Sequence, residues 1–447
     1  MKKTRLLRVF MLFYSIVLML SCNATAQPGD VSGYWTGVTN ILGKIANLFI
    51  GMVFISCNVS AQTIKEAIGH WEGTAGSGKQ SMKIMINFSD SKCSYDAPDL
   101  GIFGQVLTDY SFQDKNFSIT IPEKNPITLK GKIENSQMTG EIDGKNPMPF
   151  LLEKKSAVPE FFFEEEVTYK SGDITLSGTL IKPGTTGKYP VAVMIHGSSA
   201  KGKMTRATTR SRAILFVKSG IAVLIYDRRG NGKSTGENDR ILKMELLAKD
   251  AAAGAEFLST RNDIDKNKIG LYGISQGGWV APYAAGFTDK INFIITVSAP
   301  GITPDEQNDF ASGKVVSAII DDNLKKAGVP EPGLYSNNQL IKDTSTKEII
   351  PGFSRFNPLL YWEKIKVPVL AIWGSADDVV PAEKSKDLIG ASLLKAGNKN
   401  YSLKIFSGGD HLLRLAMPST EKQNPFKPMV PGTQEFMVSW IQNNVLK

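Results

Sequence analysis

From residue 161 onward, continuous apolar runs alternate with helix-compatible stretches, and that alternation leaves few folds open. Pro190–Ile195, Ile221–Tyr226, Ile269–Tyr272, Phe293–Val297, Pro368–Trp373 and Leu403–Phe406 are wholly or largely apolar. Such runs suit strands covered on both faces, as in a parallel sheet flanked by helices. Between them lie Arg206–Ser219, Ile241–Ser259, Gly277–Gly286 and Glu383–Ala396, each compatible with a helix. Glu164–Lys170 and Asp173–Ile181 read as a hairpin around Ser171-Gly172. The pattern predicts an α/β fold, doubly wound on a mostly parallel sheet, with chemistry at the carboxyl ends of the strands.

The text before residue 161 is different. Ser81–Phe88, Asn116–Ile121, Ile127–Ile133 and Met138–Ile142 are short alternating runs, separated by Gly, Asn, Asp and Pro. That rhythm predicts a small all-β domain over 62–155, an antiparallel barrel or sandwich. Trp71, between Gly69 and Gly73, reads as core packing, with carbohydrate stacking as the functional alternative. Lys154–Glu160 is the expected linker, so the α/β domain spans 159–447.

Residues 1–61 read as a leader. Lys2, Lys3, Arg5 and Arg8 precede the apolar run Val9–Leu20, and Ala24-Thr25-Ala26 offers a small-residue cleavage site. The run is about 12 residues, short of the roughly 20 that span a bilayer. Met19-Leu20-Ser21-Cys22 resembles a loose lipobox, so Cys22 is a candidate lipid anchor, and cleavage after Ala26 is the alternative. Ser21–Gln27 is echoed by Ser56–Gln62, and Gly33–Gly37 by Gly69–Gly73, which suggests a duplicated leader. The expected destination is exported: the periplasm or the outer membrane of a bacterium, as a lipoprotein or a released protein. A mature chain starting near Gln62 keeps Cys93 alone, expected to be buried and inert.

The chemistry gathers where the fold predicts it. Strand Ile269–Tyr272 runs into Gly273-Ile274-Ser275-Gln276-Gly277-Gly278 and then a helix, which is G-x-S-x-G in its strand–turn–helix context. Further motifs follow in order: His196-Gly197-Ser198 after one strand, Asp227-Arg228-Arg229-Gly230-Asn231-Gly232-Lys233-Ser234 after the next, Gly374-Ser375-Ala376-Asp377-Asp378-Val379-Val380-Pro381, and Gly408-Gly409-Asp410-His411 after the last strand.

With these motifs, residues 161–447 resemble the α/β-hydrolase superfamily of serine hydrolases, in particular exported bacterial esterases and serine aminopeptidase-like enzymes carrying an N-terminal β domain. The resemblance implies Ser275 as nucleophile, His411 as base and Asp377 as acid. Asp377 is chosen over Asp378 by the family's G-x-x-D-x-x-V-P spacing. It implies an oxyanion hole from the backbone N–H groups of Gln276 and Ser198, with Ser199 a competitor. His196 shapes the oxyanion loop in that family. The other histidine, His70, sits in the β domain and reads as structural. The insertion about 303–356 takes the place of a helical lid, with Trp279 and Tyr283 as candidate pocket walls and packing of the helix against the sheet as the equal alternative for Trp279.

Composition narrows the alternatives. Only 3 histidines and 3 cysteines stand in 447 residues, too few for a rich metal cluster or a disulfide scaffold. The net charge of +9 is partly carried by the leader, and the remainder is too dilute to recommend nucleic acid. No cofactor and no metal are expected, and the glycines after Asp227 lack the G-K-[ST] of a phosphate loop. The leading expectation is hydrolysis of a carboxylic ester, small or glycan-linked, through an acyl-enzyme. A serine peptidase, using acidic lid residues such as Asp305, Glu306 and Asp309, is the alternative. A glycan-binding protein with a degenerate hydrolase domain is the third.

Overall fold

A computed structural model describes residues 65–415 and 428–447, apart from 77, 79–80, 91, 122–125, 145–146, 157–161, 199–203, 238–243 and 314–355. The leader with Cys22, Ser199 and most of the insertion therefore lie outside the described residues.

Nine strands form an antiparallel sheet over the first domain: β1 Gly69–Ala75, β2 Met82–Phe88, β3 Cys93–Ala97, β4 Ile102–Leu107, β5 Asp109–Gln113, β6 Asn116–Ile121, β7 Ile127–Glu134, β8 Gln137–Ile142 and β9 Met148–Lys155. Their order is β4-β3-β2-β1-β9-β8-β7-β6-β5. The two ends of that order, β4 and β5, are separated in the chain by Thr108 alone. One bent strand thus pairs with β3 through its first half and β6 through its second, and the sheet closes into a barrel. Closure removes the exposed strand edges of an open sheet. Trp71, Ile84, Ile86, Ile119, Leu129 and Leu152 fill the interior, and Trp71 Nε1–H donates to the Ala67 carbonyl at 2.7 Å. Cys93 is buried, and burial pushes its thiol pKa up, away from thiolate chemistry.

The second sheet has eight strands: β10 Phe163–Ser171, β11 Ile174–Lys182, β12 Tyr189–Ile195, β13 Ala222–Tyr226, β14 Ile264–Ile274, β15 Ile291–Val297, β16 Val369–Gly374 and β17 Tyr401–Phe406. Their order is β10-β11-β13-β12-β14-β15-β16-β17. The β10–β11 hairpin is antiparallel, β11 joins β13 antiparallel, and every later pair is parallel. Apolar cores lie on both faces, which is why the six runs carry no polar stripe. The exits of β12, β13, β14 and β16 share one end of the sheet, because those strands are parallel.

The barrel meets the second domain at a defined seam. The Asp99 carbonyl accepts Met429 N–H at 2.7 Å, and Gln434 Nε2 donates to the Pro98 carbonyl at 3.0 Å. Arg210, on helix Met204–Lys218, donates to the Gly104 carbonyl.

Candidate active site

Strand β14 delivers Ser275 at φ 53°, ψ −119°, and helix Gln276–Ala284 starts at the next residue. A non-glycine residue held at positive φ costs about 1–3 kcal/mol and persists only where its surroundings dictate it. Here Ser275 N–H is tied to the Val297 carbonyl at 3.0 Å, and the Ser275 carbonyl to Gly278 N–H at 2.7 Å. The flanking glycines have no room to be anything else. A Cβ at Gly273 would stand 2.2 Å from the Gly277 carbonyl oxygen, and one at Gly277 would stand 2.6 Å from that of Ile195. The turn lifts the half-buried serine above the sheet, at the positive end of the helix.

The structure brings Asp377 and His411 together. Both carboxylate oxygens face His411 Nδ1, at 3.0 and 2.8 Å. Asp377 is 4% exposed, and its Oδ1 also accepts the N–H groups of Val379 and Val380, both at 2.8 Å. Asp378 is exposed and makes no such contact among the described residues. An Nδ1–H donated to Asp377 leaves Nε2 as the ring's proton acceptor. Two glycines let the loops approach: a Cβ at Gly374 would lie 2.2 Å from the Gly409 carbonyl oxygen. Asp410 folds its own turn, its Oδ1 accepting Leu412 and Arg414 N–H at 2.9 Å each. Ser275 makes no hydrogen bond to the His411 ring among the described residues, and such contacts commonly tighten only with substrate bound.

Ser298 is a residue that sequence reasoning missed. It follows β15 at φ 50°, is fully buried, and its Oγ donates to the His411 carbonyl at 2.9 Å. No motif covers it; only the sheet order, with β15 between β14 and β16, brings it there.

On the other side of the serine runs His196-Gly197-Ser198. A Cβ at Gly197 would meet the Ser275 Cβ at 3.4 Å and its Oγ at 3.9 Å, so this loop passes directly beside the serine. Ser198 is exposed at its tip. His196 is buried, with Nε2 against the Tyr226 carbonyl at 2.7 Å. Burial pulls its pKa down to about 4, so it stays neutral and anchors the loop. In the next turn Arg229 grips Asp250 with Nε and Nη2 at 2.7 and 2.6 Å. There Asp227 Oδ2 accepts Lys233 N–H at 3.0 Å, which binds the turn to itself.

The insertion begins with a capping box. Thr303 Oγ1 accepts Glu306 N–H at 3.3 Å, and Glu306 Oε2 accepts Thr303 N–H at 2.9 Å. The helix that follows is described from 304 to 313, and Gln307 Nε2 donates to the Val379 carbonyl at 3.2 Å, in the Asp377 loop. The rest of the insertion, 314–355, lies outside the described residues. Trp279 is 2% exposed and donates to the Ile302 carbonyl at 3.0 Å, which packs its helix against the sheet. Tyr283 is less buried and lies against Tyr361 and Phe356, with ring centroids 3.9 and 5.7 Å away.

Comparison with known proteins gives two family matches within the second domain. Residues 251–426 match the C-terminal domain of the BAAT / acyl-CoA thioester hydrolases. Residues 171–319 match the X-Pro dipeptidyl-peptidases of the S15 family. Among curated proteins, the chain is 30% identical over 113 residues to the quorum-quenching protein AidA of Acinetobacter baumannii, covering 25% of this chain and 36% of that one. It is 26% identical over 251 residues to the bifunctional esterase/perhydrolase DCH of Acinetobacter calcoaceticus, covering 49% and 84%. The matches to the first curated relatives thus span from about a third to about a half of their lengths. Among solved structures, the Pyrococcus furiosus esterase Pf2001 aligns over 64% of this chain and 94% of its own, with 20% identity and a TM-score of 0.42.

Proposed function

The chain belongs to the α/β-hydrolase superfamily of serine hydrolases, and we propose that it cleaves carboxylic esters through an acyl-enzyme on Ser275. The observation that carries this reading is the buried Asp377 holding His411 by Nδ1, on the same sheet end as a serine kept at positive φ.

In the proposed sequence, His411 Nε2 takes the Ser275 proton as Oγ attacks the ester carbonyl. Asp377 keeps the ring in the tautomer that can do so and offsets the imidazolium charge. The tetrahedral oxyanion is met by the backbone N–H of Gln276 and that of Ser198, and the helix beginning at Gln276 adds its positive end. The imidazolium then protonates the leaving alcohol. Water, activated by the same Nε2, attacks the acyl-enzyme, and Ser275 recovers its proton on release of the acid.

A second reading, peptide-bond hydrolysis, is favoured by the S15 match across residues 171–319. Fluorophosphonate labelling with peptide mapping, run beside p-nitrophenyl ester and aminoacyl-anilide turnover, separates the two. Label on Ser275 with ester turnover alone supports the esterase, and anilide turnover moves the assignment to a peptidase. A folded protein that takes no label at Ser275 overturns both. The leader read in residues 1–61 supports work outside the cytoplasmic membrane. N-terminal sequencing of the exported protein tests that: a blocked, lipidated Cys22 indicates an anchor, a start near Gln27 or Gln62 indicates release, and retention of Met1 in the cytoplasm rejects export.

A further inference from the structure

Arg228 stands second in the Asp227–Ser234 turn, and the arginine that braces the turn is its neighbour Arg229, on Asp250. Arg228 is nevertheless 6% exposed, and its Nε is buried without a hydrogen-bond partner. It forms no ion pair with a carboxylate among the described residues. Its one hydrogen bond there runs from Nη2 to Oε1 of Gln276, at 2.5 Å. Burial lowers its pKa, yet a guanidinium still stays protonated at neutral pH. A full positive charge is therefore held out of water with no carboxylate paired to it among the described residues, an arrangement that is costly.

The topology shows where that charge sits. Arg228 follows β13 and Gln276 follows β14, while β12 lies between those strands. Two strand spacings are about 10 Å, and the Arg228–Gln276 bond bridges them across the end of β12. That strand end is His196-Gly197, the loop passing beside Ser275. The guanidinium also bears on His196, adding to the effect of burial in keeping that ring uncharged.

We infer that Arg228 is a positioning residue of the oxyanion hole: it clamps Gln276 and sets a fixed positive potential where the substrate's carbonyl oxygen becomes negative. The inference rests on the acyl-transfer reading above. In a water-poor crevice such a preset charge favours the tetrahedral alkoxide over the neutral ester, so its effect belongs to kcat more than to KM.

The test uses the full-length protein and three variants, Arg228→Lys, Arg228→Gln and Gln276→Glu. The readouts are ester kcat and KM, and affinity for a trifluoromethyl ketone, which forms an alkoxide on the serine, and for a matching amide, which does not. Arg228→Gln is expected to lower kcat and trifluoromethyl-ketone affinity together, by about 10–100-fold, somewhat below the loss of a direct oxyanion donor. KM and amide affinity should stay within about twofold, and Arg228→Lys should recover part of the loss by keeping the charge. Gln276→Glu pairs the guanidinium with a carboxylate, so it should lower ketone affinity while the fold holds. Unchanged kcat and ketone affinity in Arg228→Gln overturn the inference, as does a loss confined to KM. Should Arg228→Gln fail to fold, wild-type ketone affinity in Gln276→Glu overturns it. A wild-type protein unlabelled at Ser275 overturns the acyl-transfer reading and this inference with it. A labelled wild type beside an unaffected Arg228→Gln overturns this one alone.

Discussion

At the scale of single residues, two aspartates that are adjacent in sequence have been given unlike environments. Asp377 is closed in, sharing its oxygens between His411 and two backbone N–H groups, while Asp378 faces water. Asp377→Asn should lower kcat by about 10⁴-fold, the scale of the protease example for the same tautomer loss, with Asp378→Asn near wild type. Steady-state ester assays of both variants check this, and near-normal turnover by Asp377→Asn would remove it from the acid's role. Ser275 gives a second prediction. Glycine tolerates φ 53° while alanine does not, and the strain relieved outweighs glycine's entropy cost. Ser275→Gly and Ser275→Ala should both be inactive, with the glycine variant about 1 kcal/mol the more stable in urea melts. His196 gives a third. Its pKa of about 4 lies below the ordinary 6.5, so the unfolded chain binds its proton first as pH falls. The stability it contributes is complete above pH 6.5 and is lost between there and pH 4, by a few kcal/mol in all. Urea titrations at about pH 7 and about pH 5 should show the drop, and a His196→Gln variant should show a flatter dependence. An identical slope in the variant would sink the assignment.

At the scale of elements, the sheet was legible because a strand buried on both faces announces itself as an unbroken apolar run, and β12 to β17 coincide with those runs, with β14 starting earlier, at Ile264, in a polar stretch. The elbow was legible for a related reason: its glycines are dictated by backbone contacts under 3 Å, which no other residue type satisfies. The first domain was harder. Strands β1, β3, β4, β5 and β9 escaped the reading; among them, Cys93–Ala97 buries Ser94 and Asp96 among apolar neighbours, and Asp109–Gln113 alternates with little hydrophobic contrast. Barrel and sandwich could not be separated, since the difference lies in how one strand bends at Thr108. Ser298 and Arg228 were invisible for another reason, namely that their partners, His411 and Gln276, are set by strand order. The loops of Asp377 and His411 share one tight contact, so Gly374→Ala should cost more than about 2 kcal/mol and lower turnover as well. A variant with wild-type melting and turnover would show that the contact can relax.

At the scale of the molecule, the barrel supports the turn that carries His411. Met429 N–H is held by the Asp99 carbonyl, and Met429 bridges Arg414, which closes the Asp410–His411 turn. Gly101, at φ 68°, leaves no slack there, since a Cβ would reach Met429 Cγ at 3.0 Å. Gly172, at φ 59°, has nothing within 4 Å and serves as the control. Gly101→Val should lower ester kcat/KM by about tenfold, while Gly172→Val carries similar backbone strain with turnover intact. Equal activity in the two would mean that the seam is inert packing.

The closed barrel has a further consequence, for the order in which the chain assembles. Its first strand completes its pairing only with its last, so the ring shuts once Lys155 is available, before any strand of the second sheet exists. The second domain leans on the finished ring through Asp99, while the ring's own ladders draw on no residue beyond Lys155. A chain emerging amino end first therefore meets its requirements in sequence, with the brace for His411 standing before the residue it braces has arrived.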